Sequence, residues 1–124
     1  MKHLTNREEE IMEIFWGKGS MYVKEIVDEF PDPKPHYNTV STMVRGLEEK
    51  GFVGHEQFGN SHRYAAIISR EEFSKDTIKG MVGKYFNKSY ASVVSMFVEE
   101  ENISLEEIKK MINQAKSTKK NSDE

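Results

Sequence analysis

The sequence predicts a mostly α-helical protein with one small β-hairpin, and three observations carry that prediction. Three Ser/Thr-x-x-Glu boxes (Thr5 to Glu8, Ser69 to Glu72, Ser104 to Glu107) open stretches in which apolar residues recur every three to four positions. Pro31-Asp32-Pro33-Lys34-Pro35 cannot be helix interior, because each proline lacks an amide donor and constrains the residue before it. After Gly51 the period shortens. Phe52 to Phe58 and His62 to Ile68 are runs rich in aromatic and β-branched residues, separated by Gly59-Asn60-Ser61, which is the pattern of a hairpin.

Thr5 and Glu8 cap a first helix whose apolar residues are Ile11, Met12, Phe15 and Trp16, with Gly17 and Gly19 ending it. Glu8-Glu9-Glu10 reads as a solvated first turn favoured by the helix dipole. A short second helix, Val23 to Phe30, turns Val23, Ile26, Val27 and Phe30 inward; Tyr22 stands where a capping Ser or Thr is expected, leaving Ser20 as the cap or a frayed start. The proline segment is then the turn to a third helix, delimited by Pro35 and Gly51. On that helix Tyr37, Val40, Met43, Val44 and Leu47 form a stripe expected to face the core. The other side carries Asn38, Ser41, Thr42 and Arg45, side chains suited to base edges and phosphates rather than the Glu and Lys of an ordinary surface helix. Helix, short turn, longer helix and hairpin make a winged helix-turn-helix, with Asn60, Ser61, His62 and Arg63 at the tip of the wing.

The remainder reads as helix. Ser69 caps a segment carrying Phe73, Ile78, Met81, Val82, Tyr85 and Phe86, with Ile68 and Phe73 spaced as a hydrophobic staple. Asn87-Lys88-Ser89 is a break, after which Tyr90, Val93, Val94, Phe97 and Val98 share a face. Ser104 opens a last helix, stapled by Ile103 and Ile108, with Leu105, Ile108, Met111, Ile112 and Ala115 apolar. From about Lys116 the chain is polar and is expected to be disordered. The expected organisation is therefore a winged-helix DNA-binding domain over 1–70 and a C-terminal helical dimerisation region over 71–124. A segment that small seldom sustains a core, but two copies can bury each other's apolar faces. Tyr85, Phe86, Tyr90, Val93, Val94, Phe97, Val98, Leu105, Ile108, Met111 and Ile112 are the candidates for that contact.

Composition narrows the function classes. With no cysteine, disulfides, thiolate metal sites and cysteine nucleophiles are excluded. The four histidines have no metal-ligand spacing, and neither a phosphate loop nor a nucleophile–base pair is visible, so no metal, no cofactor and no enzymatic activity are expected. No apolar run is long enough for a membrane span and no signal peptide is visible, which makes a cytoplasmic location the default. The net charge of -3 counts against nucleic-acid binding, yet between Lys34 and Arg70 five basic residues face three acidic ones, 5 - 3 = +2. Weak local positivity puts the burden on positioned contacts and on dimerisation, which raises effective concentration.

The chain resembles the penicillinase-repressor family of winged-helix transcriptional repressors. The matching residues are Leu4-Thr5-x-x-Glu8 with Trp16, Val23-Lys24-Glu25-Ile26, and Tyr37-Asn38-Thr39-Val40-Ser41-Thr42 followed by Leu47-Glu48-Glu49-Lys50-Gly51. Arg63-Tyr64, Ser69-Arg70-Glu71-Glu72-Phe73, Ser92-Val93-Val94-x-x-Phe97-Val98 and Ser104-x-x-Glu107-Ile108 extend the match up to the polar tail. The resemblance implies a homodimer on inverted-repeat double-stranded operator DNA, often with TACA/TGTA half-sites, that represses a resistance operon until a signal removes it. In the β-lactam branch a membrane sensor-transducer with a zinc metalloprotease causes cleavage in the dimerisation region; in the copper branch a cysteine-rich site tunes DNA binding. Three departures stand out. There is no cysteine, Met96-Phe97 occupies the place of the cleaved Asn-Phe bond, and the arginine often found directly before the Leu of the third helix is here Gly46, preceded by Arg45.

The expected contacts follow. Arg45 would meet a phosphate or a guanine edge, Asn38 and Ser41 bases or phosphates, and Thr42 a thymine methyl or a phosphate. Thr39 would contact phosphate or cap the helix, His36 would donate to phosphate, and His62 and Arg63 would act from the wing. Two rival readings are a winged helix used as a protein–protein module with an acidic partner, and a ligand-sensing regulator with a cavity among its helices.

Overall fold

The computed structural model describes residues 1–122, with side chains placed through residue 118. The chain is mostly helical with one three-stranded antiparallel sheet, in the order α1 (Asn6–Lys18), β1 (Met21–Tyr22), α2 (Val23–Asp28), α3 (Tyr37–Glu49), β2 (Val53–Phe58), β3 (Ser61–Ala66), α4 (Arg70–Tyr85), α5 (Tyr90–Glu101) and α6 (Leu105–Ser122). It divides into two compact units, Met1–Thr77 and Ile78–Glu124, so the division falls inside α4 and not at the expected 70/71 junction.

The first unit is built around a single core. Ile11 and Met12 of α1, Ile26 of α2, and Val40, Val44 and Leu47 of α3 are fully buried, and Phe52, Val53 and Tyr64 close that core from the hairpin side. The capping box at Thr5 forms as the sequence requires: the Glu8 amide donates to Thr5 Oγ1 at 3.2 Å, and the Thr5 amide to Glu8 Oε1 at 2.9 Å. Trp16 Nε1 donates to the Ile68 carbonyl at 2.9 Å, and the Trp16 and Phe73 rings lie 5.6 Å apart, which seats the start of α4 on α1.

The hairpin pairs Val53 with Ala66 through to Phe58 with Ser61, leaving a two-residue loop whose first residue, Gly59, has φ of 60°. A positive φ at that loop position follows the right-handed twist of the strands, and glycine adopts it without steric cost. One strand escapes the sequence pattern. Met21 and Tyr22 pair with Tyr64 and Arg63, adding β1 to the edge of β3. Tyr22 is therefore a strand residue as well as the helix cap, and the Glu25 carboxylate accepts its amide at 2.9 Å in place of a Ser20 cap or a frayed start.

In the second unit Ser89 and Ser104 cap the helices that follow them, the Ser92 and Glu107 amides donating to the two serine hydroxyls at 3.1 and 3.2 Å. Asn87 and Lys88 take positive φ at the break between α4 and α5. The polar tail expected to be disordered from Lys116 is corrected as far as Ser122, where α6 ends. Lys116, Lys119 and Lys120 are good helix formers, and a helix already nucleated at Ser104 propagates through them and the weaker Ser, Thr and Asn between them.

Candidate nucleic-acid interface

α3 is held from below and open above. Val40, Val44 and Leu47 anchor it in the core, while Asn38, Thr42 and Arg45 lie on the exposed side at successive helical turns. The Thr42 hydroxyl donates back to the Asn38 main-chain carbonyl at 2.9 Å and receives the Arg45 guanidinium at 3.5 Å, so the Thr42 and Arg45 side chains are mutually oriented. Thr39 is exposed on the flank, and His36 is exposed at the helix start, where its side chain makes no capping bond.

Tyr37 departs from the expectation of a core residue: it is 55% exposed. At four residues before Ser41 and eight before Arg45 it shares their side of the helix. Those three, with Tyr22 and Lys24 from α2's start and Asn60, Ser61, His62 and Tyr64 from the hairpin, line an open concavity of about 650 Å3 between α3 and the wing. Of the residues singled out in the sequence, the structure therefore brings Ser41, Arg45 and His62 to one hollow. Arg63 is not among them. Strand alternation sends it away from His62, its guanidinium lies 5.9 Å from the Tyr22 ring, and it lines a separate hollow of about 270 Å3 with Ser20 and Phe58.

The base of α3 is fixed by a contact that crosses most of the unit. Lys50 Nζ lies 2.8 and 3.0 Å from the two Glu8 oxygens and donates to the His3 carbonyl at 3.0 Å. Burial alone would raise the Glu8 carboxyl, but the hydrogen bonds from Lys50 and Thr5 and the charge of Lys50 outweigh it and hold the group below its ordinary value. Glu8 is thus no solvated first-turn carboxylate; it is buried and ties α1 to the end of α3. This tie also decides the Arg45-Gly46 order. A Cβ at Gly46 would sit 3.9 Å from Glu8 Oε2, so position 46 faces α1 and Arg45 alone points outward.

The second unit presents a different surface. Tyr85 and Leu105 are each 66% exposed, Tyr90, Val94, Phe97, Met111 and Ile112 are exposed as well, and Phe86, Val93, Val98 and Ile108 are half-buried. Val94, Phe97 and Val98 of α5 and Ile103, Ile108, Met111 and Ile112 line an apolar hollow of about 460 Å3. Met96 and Phe97 lie inside α5. Among the described residues no cluster of three or more potential ligands is placed to hold a metal, and no helix is long and apolar enough to cross a membrane.

Comparison with known proteins agrees with this architecture. The family model for the penicillinase repressor matches residues 4–117. The methicillin resistance regulatory protein MecI of Staphylococcus aureus (strain N315) is 26% identical over 111 residues, spanning 89% of this chain and 90% of that protein. The penicillinase repressor of Bacillus licheniformis is 25% identical over 113 residues, covering 87% of this chain and 85% of its own length. Among solved structures, the solution structure of the DNA-binding domain of the repressor BlaI aligns with a TM-score of 0.50 and 25% identity, covering 58% of this chain and 93% of that domain.

Proposed function

This chain belongs to the penicillinase repressor family, and on that premise we propose that it is a DNA-binding transcriptional repressor acting as a homodimer on an inverted-repeat operator. The family is one of DNA-binding repressors and not an enzyme class. The observation that carries the reading to individual residues is the outward stripe of α3: Asn38, Thr42 and Arg45 are exposed on a helix whose opposite side is locked into the core. A helix so mounted enters a major groove with its polar side chains already oriented. In this reading Arg45 binds phosphate or a guanine edge, Asn38, Ser41 and Thr42 reach bases or phosphates, and Thr39, His36 and His62 contact the backbone alongside. Tyr37 joins the contact set from its place beside Ser41, whereas Arg63 reaches DNA only by leaving Tyr22.

The double variant Asn38→Ala, Arg45→Ala tests this assignment. Operator selected from the source genome should be bound more weakly, each lost base contact costing about 1–3 kcal/mol of discrimination, and each lost phosphate contact should flatten the salt slope. Binding at full strength by the folded double variant would sink the assignment.

The exposed apolar faces of α5 and α6 support self-association through the second unit. Such a dimer doubles the contact and offsets the weak charge of a single reading head. The cytoplasm is where such a protein meets its operator. Relief of repression, by analogy with the β-lactam branch, would come from a membrane sensor-transducer with a metalloprotease. Because Met96-Phe97 lies within α5, cleavage there requires that helix to open first.

A further inference from the structure

Resting on the reading of α3 as the groove-reading helix, we infer that His55 and Glu48 are a positioning pair that keeps Arg45 free for DNA. Glu48 stands three residues after Arg45, a spacing at which a carboxylate and a guanidinium on one helix meet. Left to itself, Glu48 would pair with Arg45 and place a negative charge beside the DNA-facing cation. The hairpin prevents this. His55 of β2 holds Glu48 Oε2 at 2.6 Å through Nδ1. An ionised carboxylate can only accept, so Nδ1 carries the hydrogen and the ring is fixed in tautomer and direction.

The ring is held from its faces as well. His62 stacks on it at 4.2 Å between centroids with 10° between planes, and the Tyr64 ring lies 5.5 Å away. Arg45, in consequence, has only the Thr42 hydroxyl at 3.5 Å and no ion pair among the described residues. Glu48 and Arg45 are nevertheless close enough to act on one group: burial first, then the charge of Glu48, pushes the Tyr64 hydroxyl up, while Arg45 pulls it down. The same imidazole that sequesters Glu48 also carries His62, which lines the concavity with Ser41 and Arg45. Recognition helix and wing are thereby set against each other by one side chain that does not itself line the concavity.

The test measures binding of short random-sequence duplex DNA to the full chain at two salt concentrations, for the unsubstituted protein, H55A, H55Q, E48Q and the double H55A/E48Q. Removing the imidazole should weaken binding roughly tenfold, the scale of about one charge-assisted contact, as Glu48 turns to Arg45. H55Q, whose amide can still donate to Glu48, should bind nearly as the unsubstituted chain does, and E48Q should bind at least as tightly. The double variant should recover, because without the carboxylate Arg45 needs no protection; a purely structural role for His55 in the wing cannot give that rescue. Undiminished binding by H55A, a loss that persists in the double variant, or weakened binding by E48Q would each overturn the inference. Should H55A fail to fold, weakened binding by E48Q or by H55Q would still overturn it. If the unsubstituted chain binds no duplex at all, the reading of α3 falls and this inference with it, whereas binding that H55A leaves intact removes the inference alone.

Discussion

Helices of both units carry apolar stripes at the same spacing, yet their fates differ: Ile11, Val40 and Leu47 are wholly buried in the first unit, while Tyr85, Phe97, Leu105 and Met111 stand exposed in the second. The difference lies in what the chain supplies for each stripe to pack on. Between residues 1 and 77 three helices and a sheet converge from different directions, so each apolar face meets two or three others. Beyond Ile78 there are only helix segments joined by short breaks, and their side chains outnumber the places to hide them. The first unit is complete as a fold. The second leaves apolar side chains uncovered in the single chain, which is the observation behind the proposed self-association.

The largest effect should come from emptying the complete core. Leu47→Ala removes a fully buried side chain at the meeting of α1 and α3, and should cost about 2–5 kcal/mol in denaturant unfolding. Leu105→Ala, the same chemical change at a position exposed in the single chain, should act only through self-association. Paired measurements of melting against protein concentration would distinguish the two, and a Leu105→Ala loss independent of concentration would break the contrast. Introducing charge at Met111 with Met111→Glu should convert a dimer to monomer in sedimentation, with weaker operator binding and an unchanged fold of the first unit. A Met111→Glu chain that remains dimeric would move the interface elsewhere.

Next in size is the tie between α1 and α3. Lys50→Ala leaves the Glu8 carboxylate buried with fewer donors and should destabilise by about 1–3 kcal/mol near neutral pH. Because the folded-state Glu8 carboxyl titrates below its ordinary range, its contribution is full above the usual carboxylate pKa and is lost as pH falls through the lowered value. The unsubstituted chain should therefore lose stability on acidification more steeply than Lys50→Ala, and parallel acid limbs would refute the coupling. The smallest effect is a gain. Gly46→Ala places a methyl in ordinary contact with Glu8 Oε2 at 3.9 Å, and should stabilise α3 by about 0.5–1 kcal/mol without touching DNA affinity. Weakened binding by Gly46→Ala would show that position 46 does not face inward.

The helices, their caps and the hairpin were legible because each is specified locally. Thr5, Ser69, Ser89 and Ser104 need only the amides three residues away, and Gly59 needs only its own φ. Tyr37 was misplaced because a helical wheel puts it at the border of the apolar stripe, and which side of the border is buried depends on where α2 and the wing come to rest. Glu8 was misread for a related reason. Its partner is Lys50, distant in sequence, and no local pattern distinguishes a carboxylate at a helix start that faces solvent from one that faces another helix. The strand at Met21 and Tyr22 is too short to show a period and exists only because β3 offers it an edge.

By itself, then, the sequence determined that this protein has a proline-separated pair of helices, a hairpin behind them and a helical C-terminal segment. Backbone hydrogen bonding and residue periodicity act within a few positions and can be read there. Only the tertiary structure decided which polar groups share a surface: that Arg45 and not residue 46 points outward, that His62 joins Ser41 while Arg63 turns to Tyr22, and that His55 occupies Glu48. These are pairings between distant segments, and they are fixed by how the core sets the angles between elements.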